Sequence, residues 1–189
     1  MSEPAVTKKL IADGFKQLMA KKPFEKITIA DITDQCGLNR QTFYYHFQDK
    51  YELLNWIFYS DVIEPFSDGL TIDNWSDHLL EILLIIKNDA KFYANAMSTS
   101  HGEEFRRFLF NAVTDVLCEV IDQITAGRTV NQPDRQFIAE FFAYGVSGIV
   151  TRWVTTGMKQ SPEHTAVYLK NLVNDFKAFA VERYVLEKQ

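Results

Sequence analysis

The sequence predicts an all-α protein of about nine helices. Apolar residues recur at the three- and four-residue spacing of amphipathic helices through most of the 189 residues. The chain has no sustained alternation of apolar and polar residues and no Asn-Gly turn, which are the signals of β-hairpins. It also has only 8 glycines and 5 prolines, so few positions interrupt a helix. The length fits one domain or two small ones.

The first two helices are marked by a break and by caps. An apolar stripe predicts helix 1 over residues 5–21, ending before Pro23, because a residue that precedes proline disfavours helical geometry. Thr28 followed three residues later by Asp31 is the pattern of a capping box, so helix 2 begins there. Gly37 ends this helix, since glycine readily adopts the left-handed conformation of a helix C-terminus.

A second short helix follows almost at once. Asn39 is suited to cap it, and we expect it to cover residues 40–47. Asp49, with an acidic residue three positions later, begins helix 4, which we expect to end at Pro65. Two capped helices joined by a tight glycine turn form a helix-turn-helix pattern.

We therefore divide the chain into a three-helix head, residues 1–50, and a helical body, residues 51–189.

Pro133 and Pro162 stand at first positions of helices, where a missing N–H group has little cost. The body helices are expected near 74–88, 89–98, 102–126, 133–157 and 161–187.

The net charge of −5 is unevenly distributed, since residues 1–60 carry +1 and the remainder carries −6. A nearly neutral head with basic clusters is compatible with a nucleic-acid partner, although a solvated surface explains the asymmetry equally well. Cys36 and Cys118 form no ligand cluster, so we expect reduced thiols and a cytoplasmic protein. No apolar run approaches the roughly 18 residues that span a bilayer, and we expect no membrane contact.

The second helix of the helix-turn-helix carries the candidate function. Phe43 and Phe47 lie one turn apart and should face the core. The opposite side presents groups suited to DNA, because glutamine pairs with adenine, arginine with guanine or phosphate, and tyrosine and histidine with phosphate oxygens. The helix starts at Thr28 and Lys50 are expected to clamp phosphates. The predicted DNA-binding residues are Thr28, Asn39, Arg40, Gln41, Thr42, Tyr44, Tyr45, His46 and Lys50.

Two other classes of protein remain open on spacing alone. A helical hairpin of this kind also suits an all-α interaction module that binds protein instead of DNA. An enzyme has less support, because His101, Glu103 and Glu104, which could join His78 as metal ligands, are better explained as the start of a helix. The sequence contains no phosphate-binding loop or nucleophile motif. We predict no catalytic residue, no metal and no cofactor.

The eighth helix is apolar around nearly its whole circumference, and such a helix must be buried on all sides. One side can pack on the protein's own core, and the other needs a second copy of the chain, which Gly145 and Gly148 would allow to approach closely. A fully internal pair of helices in a monomer is the alternative. The ninth helix repeats the pattern, so the predicted interface has four helices. Its expected residues are Phe141, Gly145, Gly148, Ile149, Trp153, Leu172, Phe176 and Phe179.

Residues 7–58 resemble the DNA-binding domain of TetR-type transcriptional regulators. The similarity is carried by the run from Ile29 to Ile32, the run from Cys36 to Phe47, and Lys50 with Leu53-Leu54. The family's turn glycine, the Tyr and Phe of its recognition helix and its following lysine correspond to Gly37, Tyr44, Phe47 and Lys50.

This resemblance implies a homodimer that binds a near-palindromic operator and most often represses transcription until a small-molecule or protein effector releases it. Residues 39–44 and 54–57 also resemble the branch of dihydroxyacetone kinase regulators, which leaves activation open.

The resemblance also implies an effector pocket in the body, among helices 4 to 8. Aromatic residues at helical spacing describe an ordinary core equally well, so an open cavity does not follow from the sequence. The candidate lining residues are Tyr59, Ile63, His78, Phe92, Tyr93, Phe105, Phe108 and Phe142.

Overall fold

The computed structural model describes residues 3–67, 74–98, 102–124 and 132–186, and within these ranges it contains helices and no strand. The all-α prediction is confirmed. The described residues form nine α-helices: α1 Glu3–Met19, α2 Ile29–Cys36, α3 Arg40–His46, α4 beginning as Lys50–Phe58 and ending as Glu64–Ser67, α5 Trp75–Asn88, α6 Ala90–Ser98, α7 Gly102–Ile124, α8 Gln132–Thr155 and α9 Pro162–Leu186.

Helix α4 differs from its predicted end. It does not stop at Pro65 but continues to Ser67 through a π-helical segment, Tyr59–Ile63. Proline lacks an N–H group and its ring crowds the carbonyl four residues earlier, here that of Asp61. The helix widens just before the proline, and the N–H group of Glu64 donates to the carbonyl of Tyr59. Pro65 is thereby accommodated inside a helix that it was expected to end.

Helix α1 packs closely across α2. The thiol of Cys36 donates a hydrogen bond to the carbonyl of Leu10 at 3.4 Å, and Gly14 faces the same sulfur. A Cβ atom at Gly14 would clash with Cys36 Sγ. Only part of the predicted apolar stripe of α1 is buried: Phe15 lies in the core, whereas Val6 and Leu10 are exposed.

The core runs without a break from the head into the body. The ring of Phe15 in α1 meets the edges of Phe24 and Phe92 at centroid distances of 6.1 and 6.4 Å. Phe24 lies in a short 3₁₀ turn between α1 and α2, and Phe92 belongs to α6. Helix α6 is therefore the part of the body on which the head rests.

An ion-pair cluster reinforces this contact. Lys16 Nζ in α1 lies 2.5 Å from a carboxylate oxygen of Asp61 and 2.7 Å from one of Asp89. Burial alone lowers the pKa of Lys16, but the hydrogen bonds to Asp61 and Asp89 outweigh burial and raise its pKa above the ordinary value. One charged head side chain thus joins α4 to the end of α5.

The body is built on α8, which packs against α7 and α6. Its inward side is made of small and branched residues together with Trp153, whose indole N–H donates to the carbonyl of Gln160 at 2.9 Å. Helix α9 packs on α5. Among the described residues, no helix combines the length and the apolar character needed to cross a bilayer.

The Gly14 contact predicts a stability effect. Gly14→Ala should lower the free energy of unfolding, because overpacking costs about 1–3 kcal/mol, more than alanine gains in a helix. That gain over glycine is roughly 0.5–1 kcal/mol. Urea denaturation of the variant and the parent measures the difference.

The matched control is the same substitution in a Cys36→Ala background, where the obstructing sulfur is absent. There Gly14→Ala should be neutral or stabilising. Equal destabilisation in both backgrounds would show that Cys36 is not the obstacle.

Candidate nucleic-acid interface

The start of α2 is a complete capping box. The hydroxyl oxygen of Thr28 accepts from the N–H group of Asp31 at 3.1 Å, and a carboxylate oxygen of Asp31 accepts from the N–H group of Thr28 at 2.8 Å. Lys22 forms an ion pair with the same carboxylate at 2.8 Å. This ion pair, followed by the hydrogen bonds that the N–H group and the hydroxyl of Thr28 donate to the carboxylate, lowers the pKa of Asp31 to about 2. Thr28 is exposed, but its hydroxyl already serves the cap.

The turn between α2 and α3 has the predicted geometry. Gly37 has a φ of 65°, in the left-handed region, and its N–H group returns to the carbonyls of Thr33 and Asp34. The side-chain oxygen of Asn39 accepts from the N–H group of Thr42 at 2.8 Å and from its hydroxyl at 3.0 Å. Asn39 and Thr42 therefore fix where α3 begins, and their side-chain polar groups are engaged with each other.

Helix α3 has two distinct sides. Phe43 and Phe47 are buried, as their spacing predicts, and Phe47 contacts Trp56 of α4 at a ring distance of 5.7 Å. The opposite side exposes Tyr45 by 79% and Tyr44 by 56%. Arg40 and Gln41 are also exposed, and His46 is half-buried with its ring 5.0 Å from that of Tyr45. So much exposed aromatic surface on one short helix indicates a binding surface.

The N-terminal turn of α1 extends this surface. The sequence did not predict that this turn would lie beside α3. A groove of about 230 Å³ lies between Pro4 and Thr7 on one side and Tyr45 and His46 on the other. The apolar spacing of α1 gave no reason to place its first turn beside α3.

Lys50 does not occupy the position expected of a phosphate clamp. Its ammonium group donates to the backbone carbonyls of Phe24 at 2.9 Å, Glu25 at 3.3 Å and Ile27 at 2.9 Å. It also lies 4.5 Å from the centre of the Phe24 ring. Burial lowers the pKa of Lys50, and the nearby Glu25 opposes this shift. Because an ammonium group has three N–H donors, these carbonyls satisfy all of them within the chain.

The candidate pocket residues occupy different environments. Ile63, Phe92 and Tyr93 are buried in the core, His78 and Phe142 are half-buried, and Tyr59 is exposed. The side chains of Phe105 and Phe108 lie outside those the structure describes. None of the six described side chains lines either groove found among the described residues, one of about 230 Å³ beside α3 and one of about 510 Å³ at the junction of the α1 C-terminus with α6.

Tyr93 stands out within this group. Its hydroxyl is buried and makes no hydrogen bond among the described residues. Burial, followed by the negative charges of Asp61 and Asp89, raises its pKa. A buried hydroxyl without a partner costs about 1–3 kcal/mol, so this atom is a point where a polar group would be stabilised.

The candidate interface residues divide into two sets. Phe141, Gly145, Gly148 and Ile149 on α8 and Leu172 on α9 are exposed, and a Cβ atom at either glycine would meet nothing within 4 Å. Trp153 instead packs inside its own chain, so its predicted place on the outer side of α8 is wrong. The side chains of Phe176 and Phe179 lie outside those described.

An N-terminal helix-turn-helix whose recognition helix faces outward, joined to a helical body, is the architecture of a helix-turn-helix transcriptional regulator. A family model described as bacterial regulatory proteins, tetR family, matches residues 11–57, and one described as a transcriptional regulator C-terminal region matches residues 73–175. The chain belongs to the tetR family of bacterial regulatory proteins. It is thus a transcriptional regulator and not an enzyme.

Similar proteins point to one branch of the family. Over 93 residues the chain is 37% identical to the HTH-type dhaKLM operon transcriptional activator DhaS of Lactococcus lactis subsp. lactis (strain IL1403). The match covers 49% of this chain and 50% of the length of that protein.

Solved structures extend the likeness to the whole fold. The structure of the dihydroxyacetone kinase operon activator DhaS aligns with a TM-score of 0.73 and 27% identity over 90% of this chain and 96% of that one. The fatty acid degradation regulator FadR from Bacillus halodurans shares the fold, with a TM-score of 0.60 and 17% identity over 88% and 93% of the two chains. The resemblance to TetR-type regulators and to the dihydroxyacetone kinase branch is confirmed.

The capping box predicts a pH dependence. The pKa of Asp31 falls from an ordinary 3.8 to about 2 in the folded protein, so its ionised form favours folding. That stabilisation is complete above the ordinary pKa and is lost as the pH falls through about 2. Asp31→Asn should therefore be less stable than the parent above pH 4, with the difference disappearing toward pH 2. Urea denaturation at each pH measures it.

Thr28→Val provides the control, because it removes the hydroxyl half of the same box. Combining it with Asp31→Asn should cost less than the sum of the two single losses. A stability gap for Asp31→Asn that persisted unchanged at pH 2 would contradict this account.

Proposed function

We propose that this regulator binds a near-palindromic DNA operator as a homodimer, in the cytoplasm, and represses transcription until an effector releases it. The observation that carries the proposal is the outer side of α3, where Arg40, Gln41, Tyr44 and Tyr45 are exposed on a helix fixed at its start by Asn39. A helix in this setting enters the major groove with its N-terminal residues toward the bases.

The positions of these residues suggest separate roles. Arg40 and Gln41 stand in the first turn of α3, where guanidinium and amide groups can each make two hydrogen bonds to a base edge. Tyr44, Tyr45 and half-buried His46 are placed toward the end of the helix, where hydroxyl and imidazole groups suit phosphate oxygens. Specificity then comes mainly from the first turn, and the rest fixes the register.

Thr28 and Lys50 support the interface in ways that differ from direct clamping. The N–H group and the hydroxyl of Thr28 both donate to the carboxylate of Asp31, so Thr28 supports the interface as the cap of α2 and not by holding a phosphate. Asn39 and Thr42 act as the cap of the recognition helix. We expect a backbone phosphate of the bound DNA to contact the groove between Pro4, Thr7 and the end of α3.

The exposed outer side of α8 supports the homodimer. Phe137 is 72% exposed, Phe141 55% and Ile149 40%, and the open positions of Gly145 and Gly148 allow a second helix to come near. A two-fold pair built on this side, with Leu172 of α9, presents two α3 helices to half-sites about 34–36 Å apart.

The effector is expected to act through the body by favouring a different separation of the two heads. Its effect cannot exceed the difference between its affinities for the two arrangements. The Tyr93 hydroxyl, next to Phe92 in α6, is the polar group in the candidate region that a ligand or rearranged side chain could satisfy.

Activation is the second candidate function. The DhaS relatives are described as activators of a dihydroxyacetone kinase operon, and one of them aligns over 90% of this chain. Repression and activation differ in where the operator lies and not in how α3 reads it. In vitro transcription from a bound genomic promoter, with and without the protein, distinguishes the two by the sign of the change.

Gln41→Ala tests the proposed base contact. The variant should lose about 1–3 kcal/mol of binding at one base position per half-site and relax the preference there, because a bidentate amide contact reads one base pair. Selection of bound sequences from a random pool, followed by mobility-shift titration, measures both effects.

The matched control is Gln48→Ala, an exposed glutamine beyond the end of α3. It should leave the preference unchanged. An unaltered base preference for Gln41→Ala at every position would mean that another side of α3 faces the groove.

Ile149→Asp tests the dimer. A charge at the centre of an apolar interface is left without a partner, so the variant should sediment as a monomer and bind the full operator much more weakly. Analytical ultracentrifugation measures the mass, and Leu84→Asp, at an exposed apolar residue of α5 outside the proposed interface, is the comparison for an added charge. A variant that remained fully dimeric would place the interface elsewhere.

A further inference from the structure

The connection between α1 and α2, residues 20–27, is held from two sides by side chains that lie far from it in sequence. From the body, Asn95 of α6 donates to the carbonyls of Met19 at 2.8 Å and Lys22 at 2.9 Å, and accepts from the N–H group of Phe24 at 3.1 Å. From the other side, Lys50 donates to the carbonyls of Phe24, Glu25 and Ile27.

The two side chains meet at Phe24. Asn95 binds its N–H group and Lys50 binds its carbonyl, while its ring is fully buried beside Phe15 and Tyr51. Lys50 is the first residue of α4 and follows closely after the end of α3. A continuous hydrogen-bonded path therefore runs from α6, through the backbone of Phe24, to the base of the recognition helix.

We propose that Asn95 and Lys50 form a clamp that sets the angle between the DNA-reading head and the body, and that both are positioning residues for operator binding. The proposal rests on the DNA-binding function proposed above. Hydrogen bonds are directional, whereas the apolar contacts of Phe15, Phe24 and Phe92 permit small rotations. The clamp is what makes the position of α3 depend on the position of α6.

The clamp assigns Lys50 a role opposite to that of a phosphate contact. Loss of a phosphate contact weakens binding and also flattens the dependence of affinity on salt, by about 0.9 in the logarithmic slope. Loss of a positioning residue changes the separation of the two α3 helices, so affinity falls on every sequence while the number of phosphate contacts stays the same.

The experiment uses the full-length protein with Asn95→Ala, Lys50→Met and the double variant. Each single variant should weaken operator binding by about tenfold, within the usual range of coupling between sites. The salt slope and the base preference should equal those of the parent. The double variant should bind the operator only slightly more weakly than the single variant with the lower affinity, because both substitutions release the same connection.

Lys159→Met is the matched control for charge. Lys159 is exposed beyond the end of α8, and its loss removes the same positive charge as Lys50→Met at a residue that does not line the groove beside the connection. This control should bind within about twofold of the parent, with a similar salt slope.

A measurement without DNA separates the clamp from the proposed function. Hydrogen exchange at the Phe24 amide should become faster in Asn95→Ala, while circular dichroism shows that the helices are retained. If Asn95→Ala does not fold, Asn95→Asp keeps the acceptor for Phe24 and removes both donors, and weaker operator binding with an unchanged salt slope is again expected.

A drop of about 0.9 in the salt slope of Lys50→Met, with operator affinity of Asn95→Ala unchanged, would overturn the clamp and make Lys50 a phosphate contact. Unchanged exchange at Phe24 in Asn95→Ala would overturn it as well. If the parent protein binds no genomic duplex, the proposed function fails, and the exchange measurement still judges the clamp.

Discussion

Burial of Phe43 and Phe47 is the constraint on which the recognition surface depends. A helix of seven residues makes too few hydrogen bonds to be stable alone, so α3 exists because these two rings, one turn apart, pack into the core of the head. Their position also determines which residues of α3 lie on the opposite, outward side. Once both phenylalanines face inward, Gln41, Tyr44 and Tyr45 must face outward, and a single packing choice creates the whole surface.

The local features of the head could be predicted because their causes lie within a few residues. Thr28 and Asp31, or Asn39 and Thr42, are three positions apart, so spacing alone specifies the hydrogen bonds that they form. The hydrogen-bond partners of Lys50 could not be predicted in this way. Its partners precede it by more than twenty residues, in a connection whose path depends on how Phe24 packs. A lysine at the start of a helix predicts a phosphate contact, and nothing else in the sequence argues against that prediction.

The body shows a different limit. A helix that is apolar on every side must be buried on every side, but its periodicity does not say which side faces its own chain. In the structure the two sides of α8 differ in side-chain size. The small residues Ala139 and Ala143 lie on the inward side, where helices pack closely, and the large residues Phe137 and Phe141 lie on the outward side. The predicted interface includes Trp153, but its side chain is buried in its own chain and its indole N–H donates to the carbonyl of Gln160.

The π-helical segment of α4 has a consequence for the comparison of related sequences. A π turn holds one residue more than an α turn, so the chain beyond Ile63 is rotated by about 100° relative to an unbroken helix. A homologue that lacked one residue here could close the wide turn into an ordinary α-helix of nearly the same length. Its later side chains would then keep the directions that they have in this protein, because the wide turn absorbs the extra residue. An alignment gap in this stretch therefore records the loss of the wide turn and leaves the packing face beyond it in place.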